Sequence, residues 1–370
     1  MEKKFLPRKE DGIRVLGRTN GACDPLVLFW TGSGIEMMYD GTELWCEFES
    51  DYGSHEQWIA VLINGALISR QMLPKGRSRI CLLRGMTGGK QTKVTVLKEV
   101  QAMPGDEKAY LAICGLYGDG TMLLPPEPSC KIEFIGDSIT SGEGSYGAQA
   151  EEDWISMWFS ATHAYPYLVT SRLGAECRIV SQSGYGLCCA WDNNPDNNIP
   201  AYYEQVCGVL CGEKNETLGA KNAYDFTSWQ PDYVVINLGT NDAAAFSQPE
   251  WKEESSGRSK KMRFDKNGFP AEEDFNEIKD CTVKFLKKVR KHNPKAMIFW
   301  AFGLMGTLTA PAIKAGIAEY GKLSGDSAVC YLELPEISED SIGARSHPGV
   351  LGHRAAADAL YQAITEHKIR

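Results

Sequence analysis

Histidine is scarce in this chain, with six among 370 residues, and long apolar runs are missing altogether. No stretch of about 18 consecutive apolar residues occurs, which argues against a membrane-spanning helix and a membrane partner. The amino terminus, Met1-Glu-Lys-Lys-Phe-Leu-Pro-Arg-Lys-Glu10, has no apolar core of the length a secretory signal needs. Positive charge is in deficit: 39 Lys and Arg against 48 Asp and Glu leave a net charge of -9, so the basic patch of a nucleic-acid surface is not expected. Internal repeats and low-complexity tracts are also lacking. Cysteine is not scarce, but paired spacing is. Of the twelve, Cys188-Cys189 and Cys207-x-x-x-Cys211 come nearest to a metal pattern, and neither has the spacing of a zinc ribbon or finger. His347 and His353, six apart, miss the four-residue spacing of a helical zinc pair. No metal is expected. Several cysteines (Cys46, Cys81, Cys330) sit in apolar runs, where a thiol behaves as a small hydrophobe. With no export signal, reduced thiols and a cytoplasmic location follow as the expectation.

What is present divides in two. A chain of 370 residues exceeds what one core usually supports. Residues 1–124 read as strand after strand, at 13–17, 26–30, 34–39, 43–49, 58–63, 66–70, 78–83, 92–100 and 110–117, from alternating apolar positions separated by turn signals. Asn64-Gly65 between two apolar runs is the favoured two-residue hairpin turn. That pattern predicts an all-β, antiparallel sandwich. Leu124-Pro125-Pro126-Glu127-Pro128 begins a stiff connector, residues 125–129. From residue 130 to 370 strands and helices alternate: strands at 131–135, 177–181, 233–238, 297–302 and 329–334, helices at 165–173, 271–292, 311–323 and 349–367. Five strands with helices between them predict an α/β domain, a parallel sheet covered on both faces. Segments 192–200, rich in Asn and Pro, and 248–266, rich in charge, fit neither pattern and read as loops near the carboxyl edge of the sheet.

The chemistry-bearing residues fall at strand ends. Lys131-Ile-Glu-Phe-Ile-Gly-Asp-Ser138 leaves a serine hydroxyl where a strand of an open α/β sheet ends, the edge at which ligands bind. A serine alone is a poor nucleophile and needs a neighbouring base; read alone, Gly-Asp-Ser fits a helix or turn cap equally well. The motif lacks the Gly-x-Ser-x-Gly pattern of α/β-hydrolases, so that fold is disfavoured. Acyl transfer also needs donors where negative charge develops. Gly184 follows the second strand with an unobstructed N–H, and Asn241 follows the third with a side-chain amide. Alone, Asn241 reads as an Asx-turn in Gly239-Thr240-Asn241-Asp242; its place at the edge that carries Ser138 favours catalysis. Asp242 beside it reads as structural. His347 precedes Pro348, which keeps its backbone out of the helical region, and lies ahead of the final helix, expected to start near that proline. His353, one turn into that helix, reads as a packing histidine. Trp191 and Trp300 are flat apolar surfaces that suit sugar rings. A position inside a strand makes core packing the better reading of Trp300, whereas Trp191, in the loop after Gly184, stays open.

Taken together, Gly-Asp-Ser138, Gly184, Asn241 and His347 resemble the four namesake blocks of the SGNH (GDSL-type) hydrolases. The preceding β-sandwich, the Leu-Leu-Pro-Pro connector, Gly32-Ser-Gly-Ile-Glu36, Asn198-Ile-Pro-Ala-Tyr-Tyr203 and Trp300-Ala-Phe-Gly-Leu-Met305 are similar to carbohydrate esterase family 2. The resemblance implies a three-layer α/β/α domain with a five-stranded parallel sheet behind a jelly-roll-like sandwich. It implies a serine esterase that removes acetyl groups from xylan- or mannan-derived oligosaccharides, with no cofactor. Ser138 would be the nucleophile and His347 the base. The Ser138 amide, Gly184 and Asn241 would form the oxyanion hole, with Trp191, Trp300 and Met305 as candidate substrate contacts. The family usually carries an aspartate three residues before the histidine; here that residue is Ala344, so a Ser–His dyad steadied by the Ser346 or Arg345 carbonyl is expected. The rivals are a lipid or thioester acylhydrolase of the same superfamily and a non-catalytic carbohydrate-binding protein.

Overall fold

Alternation of apolar and polar residues writes the first third of the chain as strands. In Glu43–Asp51, Leu44, Cys46, Phe48 and Ser50 point inward and the residues between them outward, the period of a half-buried strand. The structure, a computed structural model, describes residues 2–369, so Met1 and Arg370, at the ends of the two expected domains, lie outside the described residues. Eleven strands make the sandwich: β1 (Lys3–Phe5), β2 (Ile13–Leu16), β3 (Leu26–Val27), β4 (Gly34–Tyr39), β5 (Glu43–Asp51), β6 (Trp58–Ile63), β7 (Ala66–Met72), β8 (Gly76–Arg84), β9 (Thr92–Lys98), β10 (Tyr110–Gly118) and β11 (Met122–Leu123). One sheet runs β1-β10-β5-β8 with β3 also on β10; the other runs β11-β4-β9-β6-β7 with β2 also on β4, and every pairing is antiparallel. The Asn64-Gly65 hairpin forms as expected, with Ile63 opposite Ala66. Ile35, Met37, Phe48, Ile59, Val94, Val96 and Leu111 fill the space between the sheets.

Beyond the proline-rich connector the strands become short, apolar and parallel: β12 (Lys131–Gly136), β13 (Glu176–Ser181), β14 (Tyr233–Asn237), β17 (Met297–Phe302) and β18 (Val329–Glu333), in the order β13-β12-β14-β17-β18. Successive residues of each strand face opposite layers. Val234, Ile236, Ile298 and Trp300 meet the long helices α6 (Glu272–His292) and α7 (Ala310–Ser324), whereas Val235, Phe299 and Ala301 meet α2 (Tyr165–Leu173) and α8 (Val350–Ile369). The result is the three-layer α/β/α arrangement expected, with a switch of strand order beside β12, where such sheets open a crevice at their carboxyl ends. Short helices α1 (Ser138–Ser141), α3 (Ile199–Tyr202), α4 (Glu213–Thr217) and α5 (Thr240–Ala245) shape the connections.

Three expectations need correction. Segment 248–266 is not all loop: it holds the hairpin β15 (Trp251–Glu253) and β16 (Arg258–Lys260), steadied by Arg258 clamped between Asp196 and Glu253. Charged strands carry no apolar alternation, so the pattern was silent there. The final helix begins at Val350, which leaves Pro348 just outside rather than in its first turn. Trp300 is 0% exposed, with its indole N–H on the Leu238 carbonyl at 3.1 Å; it is a core residue and touches no solvent-borne substrate.

The sandwich is fused to the α/β domain through buried polar contacts. Arg18 of the sandwich reaches Glu133 on β12 at 2.9 Å and donates to the Tyr203 carbonyl at 2.5 Å, with the rings of Tyr203, Tyr224 and Phe226 around its guanidinium. Breaking one partner of such a pair leaves an uncompensated buried charge, so substitution of Arg18 or Glu133 alone is costly at this junction.

Candidate active site

Asp137 follows β12 and caps α1, its carboxyl accepting the Ile139 N–H at 3.1 Å. This turn is what sets Ser138 at the first position of α1. Burial pushes the Asp137 carboxyl up to about 8, and the Asp242 carboxyl is raised by burial as well. Thr140 Oγ1 meets Tyr165 OH at 2.9 Å and Ser141 Oγ meets Ser181 Oγ at 2.8 Å, so the segment after Ser138 is fixed from both sides.

His347 arrives from the opposite end of the sequence. Its Nε2 is 2.9 Å from Ser138 Oγ, and its Nδ1 is 2.7 Å from the Arg345 carbonyl oxygen. A carbonyl only accepts, so Nδ1 carries the hydrogen and the Nε2 lone pair faces the serine hydroxyl. To present that carbonyl the chain adopts an uncommon turn: Arg345 and Ser346 both have φ of 56°. A non-glycine residue in this region costs roughly 1–2 kcal/mol, and such strain collects at functional sites. The turn is held by Arg345 N–H on the Glu151 carbonyl (2.7 Å), Ala344 N–H on Gly144 (3.2 Å) and Gly343 N–H on the His347 carbonyl (2.7 Å). His353, expected to be a packing residue, is buried on α8 and accepts the Tyr165 N–H at 3.3 Å; burial pushes its imidazole down to about 3.

Gly144 couples the two halves directly. Its φ is +75°, and a Cβ there would stand 2.5 Å from the Ala344 carbonyl oxygen and 2.6 Å from His347 Cβ. Gly144→Ala is therefore expected to push the histidine turn away from Ser138. A melting temperature lower by a few degrees and a turnover lower by about tenfold or more should follow, read by thermal denaturation and 4-nitrophenyl acetate kinetics. Unchanged values of both would mean that the turn yields without disturbing the pair.

The proposed oxyanion donors follow the strands that flank β12, Gly184 in the loop after β13 and Asn241 in the connection after β14. Asn241, on α5, donates one amide hydrogen to the Tyr185 carbonyl at 2.9 Å, which ties the loop after β14 to the loop after β13. Asp242 tightens the same junction by accepting the N–H groups of Leu187 and Cys188 at 2.7 Å each and of Cys189 at 3.3 Å. Gly184 has φ of +78° and lies beneath the Trp191 ring, and the backbone N–H of Trp191 donates to the Gly184 carbonyl at 3.1 Å. Trp191 is 48% exposed beside this glycine, and Met305 is half-buried in the turn after β17. The sandwich reaches the same place, because Gln101 Oε1 accepts from the Ser183 N–H at 2.8 Å and from Ser183 Oγ at 3.0 Å. Gln101 escaped the sequence reading, as did Glu143, whose carboxylate lies 2.9 Å from Arg345 Nε and 3.9 Å from His347 Nε2. Their partners lie 82 and 202 residues away, and no local motif marks them.

A doubly wound sheet whose first strand ends in a serine, hydrogen-bonded to a histidine from the loop after the last, is the arrangement of the SGNH-type hydrolases. A model described as the GDSL-like Lipase/Acylhydrolase family matches residues 134–355, and the chain belongs to that family. Among solved structures, an acetyl xylan esterase (Est2A) from the rumen bacterium Butyrivibrio proteoclasticus is 41% identical, with 99% of this chain and 98% of that one covered at a TM-score of 0.97. A family two carbohydrate esterase from Clostridium thermocellum, solved with cellohexaose, is 25% identical over 96% of this chain and 99% of that one, at a TM-score of 0.78. The resemblance to family 2 esterases drawn from the motifs is borne out. An acetylxylan esterase / glucomannan deacetylase of Cellvibrio japonicus is 27% identical over 62% of this chain, and the cellulase/esterase CelE of Acetivibrio thermocellus 26% identical over 90%. The matched part spans 61% of the first protein and 36% of the second.

Proposed function

We propose that the protein is a serine esterase that removes O-acetyl groups from xylan- or mannan-derived oligosaccharides through an acetyl-enzyme, using a Ser138–His347 dyad. The observation that carries this reading is the imidazole bridging the Ser138 hydroxyl and the Arg345 carbonyl at 2.9 and 2.7 Å. Ser138 Oγ attacks the acetyl carbonyl carbon while its proton passes to Nε2, and the carbonyl π electrons move onto oxygen. The Ser138 and Gly184 amides and the free amide hydrogen of Asn241 receive that oxyanion. Collapse breaks the bond to the sugar oxygen, which takes the proton from Nε2. Water then enters and gives one proton to Nε2 as its oxygen attacks the acetyl carbon; collapse breaks the bond to Ser138 Oγ, which takes that proton back from Nε2, and acetic acid leaves. The Arg345 carbonyl takes the place an aspartate usually holds, which keeps the imidazole in one tautomer without supplying a full charge. The acetylated-sugar substrate class rests on the named activities of the relatives above, with the exposed Trp191 ring as a stacking surface beside Gly184.

Among the described residues no disulfide links the cysteines, and no helix is long and apolar enough to cross a membrane. Abundant thiols fit a reducing compartment, so the cytoplasm is the proposed place of work and short imported oligosaccharides the proposed substrates. Acetate release from acetylated xylo- and manno-oligosaccharides, alongside 4-nitrophenyl acetate and a long-chain 4-nitrophenyl ester, tests the reading. Faster cleavage of the acetyl ester than of the long-chain ester, by about tenfold or more, is expected. Preference for the long chain would move the protein to the lipid acylhydrolases, and inertness toward every ester would favour a binding role.

A further inference from the structure

The Arg345 carbonyl orients the imidazole but leaves the imidazolium formed during attack without the charge that an acid would bring. Glu143 stands where such a charge is useful. It follows α1 directly, is fully buried, and brings one carboxylate oxygen to 3.9 Å from His347 Nε2 while the other pairs with Arg345 Nε at 2.9 Å. Arg345 is further anchored by Nη1 on the Glu152 carbonyl at 2.7 Å, so the guanidinium and the strained turn move as one unit. An opposite charge within about 4–6 Å favours the charged form of a titrating group, and more so away from water.

We propose that Glu143 is the relocated acid of this site: a positioning residue that, from the Nε2 side of His347 rather than the Nδ1 side, stabilises the imidazolium and sets the Arg345 turn. The inference rests on the esterase reading above. During attack the proton leaving Ser138 Oγ arrives on Nε2, and the carboxylate of Glu143 is then ion-paired with both the imidazolium and Arg345. Of the other titratable groups, His353 on α8 interacts with the imidazole and is lowered by burial, and the buried Asp137 carboxyl sits at the start of α1.

A purely structural Glu143 and an electrostatic one differ in the pH dependence of kcat/KM, whose acidic limb reports the base in the free enzyme. With 4-nitrophenyl acetate, Glu143→Gln keeps an acceptor for Arg345 but removes the charge. It is expected to move the acidic limb to lower pH and to lower the plateau by about tenfold. Arg345→Gln removes the opposing charge and is expected to move the limb to higher pH, while Glu143→Asp keeps it at the wild-type position. Limbs that stay put in both charge-removing variants, or shift in the same direction, overturn the proposal. Should Glu143→Gln not fold, Glu143→Ala carries the test in the same assay, and a limb at the wild-type position there overturns the proposal. Labelling of wild-type Ser138 by a fluorophosphonate separates the two levels: an unlabelled wild type removes the esterase reading itself. A labelled wild type with unmoved limbs removes only the role of Glu143.

Discussion

Replacing His347 by Ala is expected to lower turnover of 4-nitrophenyl acetate roughly 10⁶-fold, the scale of loss when the base of a serine hydrolase is removed. The size follows from the geometry. Among the described residues Ser138 Oγ has one hydrogen-bond partner able to take its proton, His347 Nε2 at 2.9 Å, and it makes no hydrogen bond to the neighbouring Asp137 carboxyl, whose Oδ1 accepts the Ile139 N–H. Without the imidazole the hydroxyl would attack at its free pKa, far above neutral pH, and nothing would take the proton of the water that releases acetate from Ser138. What survives is the rate from binding and from the amide donors, which is why the loss stops short of the uncatalysed reaction. His347 emerges from a loop, and its ring carries little of the core, so the melting temperature should fall by no more than a few degrees. Turnover within tenfold of wild type would mean that another group is the base.

Asn241→Ala should cost roughly 10²–10³-fold in kcat, with KM nearly unchanged, because in the proposed oxyanion role its second amide hydrogen acts on charge that exists only in the transition state. The same side chain holds the Tyr185 carbonyl at 2.9 Å, so part of the loss could come from a shifted Gly184 loop. Asp242, which binds three N–H groups of that loop, remains in place and limits the shift. Steady-state kinetics settle the role: a kcat at the wild-type level removes Asn241 from the oxyanion hole, and a rise in KM alone makes it a ground-state binding residue.

Much of this architecture was legible because it depends on periodicity. Helix α6 was readable from Phe275, Ile278, Phe285, Leu286 and Val289 at helical spacing, and the five parallel strands from short apolar runs followed by glycine or polar turns. β1 was not readable: Lys3-Lys-Phe5 has one apolar residue and is a strand because β10 offers an edge to pair with. The hairpin β15–β16 was hidden for the same reason, since ion pairs rather than an apolar face hold it. The division holds in the site as well. Ser138 and His347 stand at strand and helix boundaries that local sequence marks, Gly-Asp-Ser and His-Pro. The Arg345 turn, the Glu143 carboxylate and the Gln101 prop depend on positive φ values and on contacts between distant segments, which no local motif records. The sequence did show that an acid was missing at Ala344; only the packing of the loop after α1 against the histidine turn shows which carboxylate lies nearby.

The most direct measurement is a rapid quench of enzyme with 4-nitrophenyl acetate at low pH, followed by mass analysis of the peptide that carries Ser138. One acetyl group on that serine, formed as fast as the first turnover and absent from Ser138→Ala, is the expected result. An acetyl group found on a different side chain, or steady turnover with no acetylated peptide at any time, would contradict it.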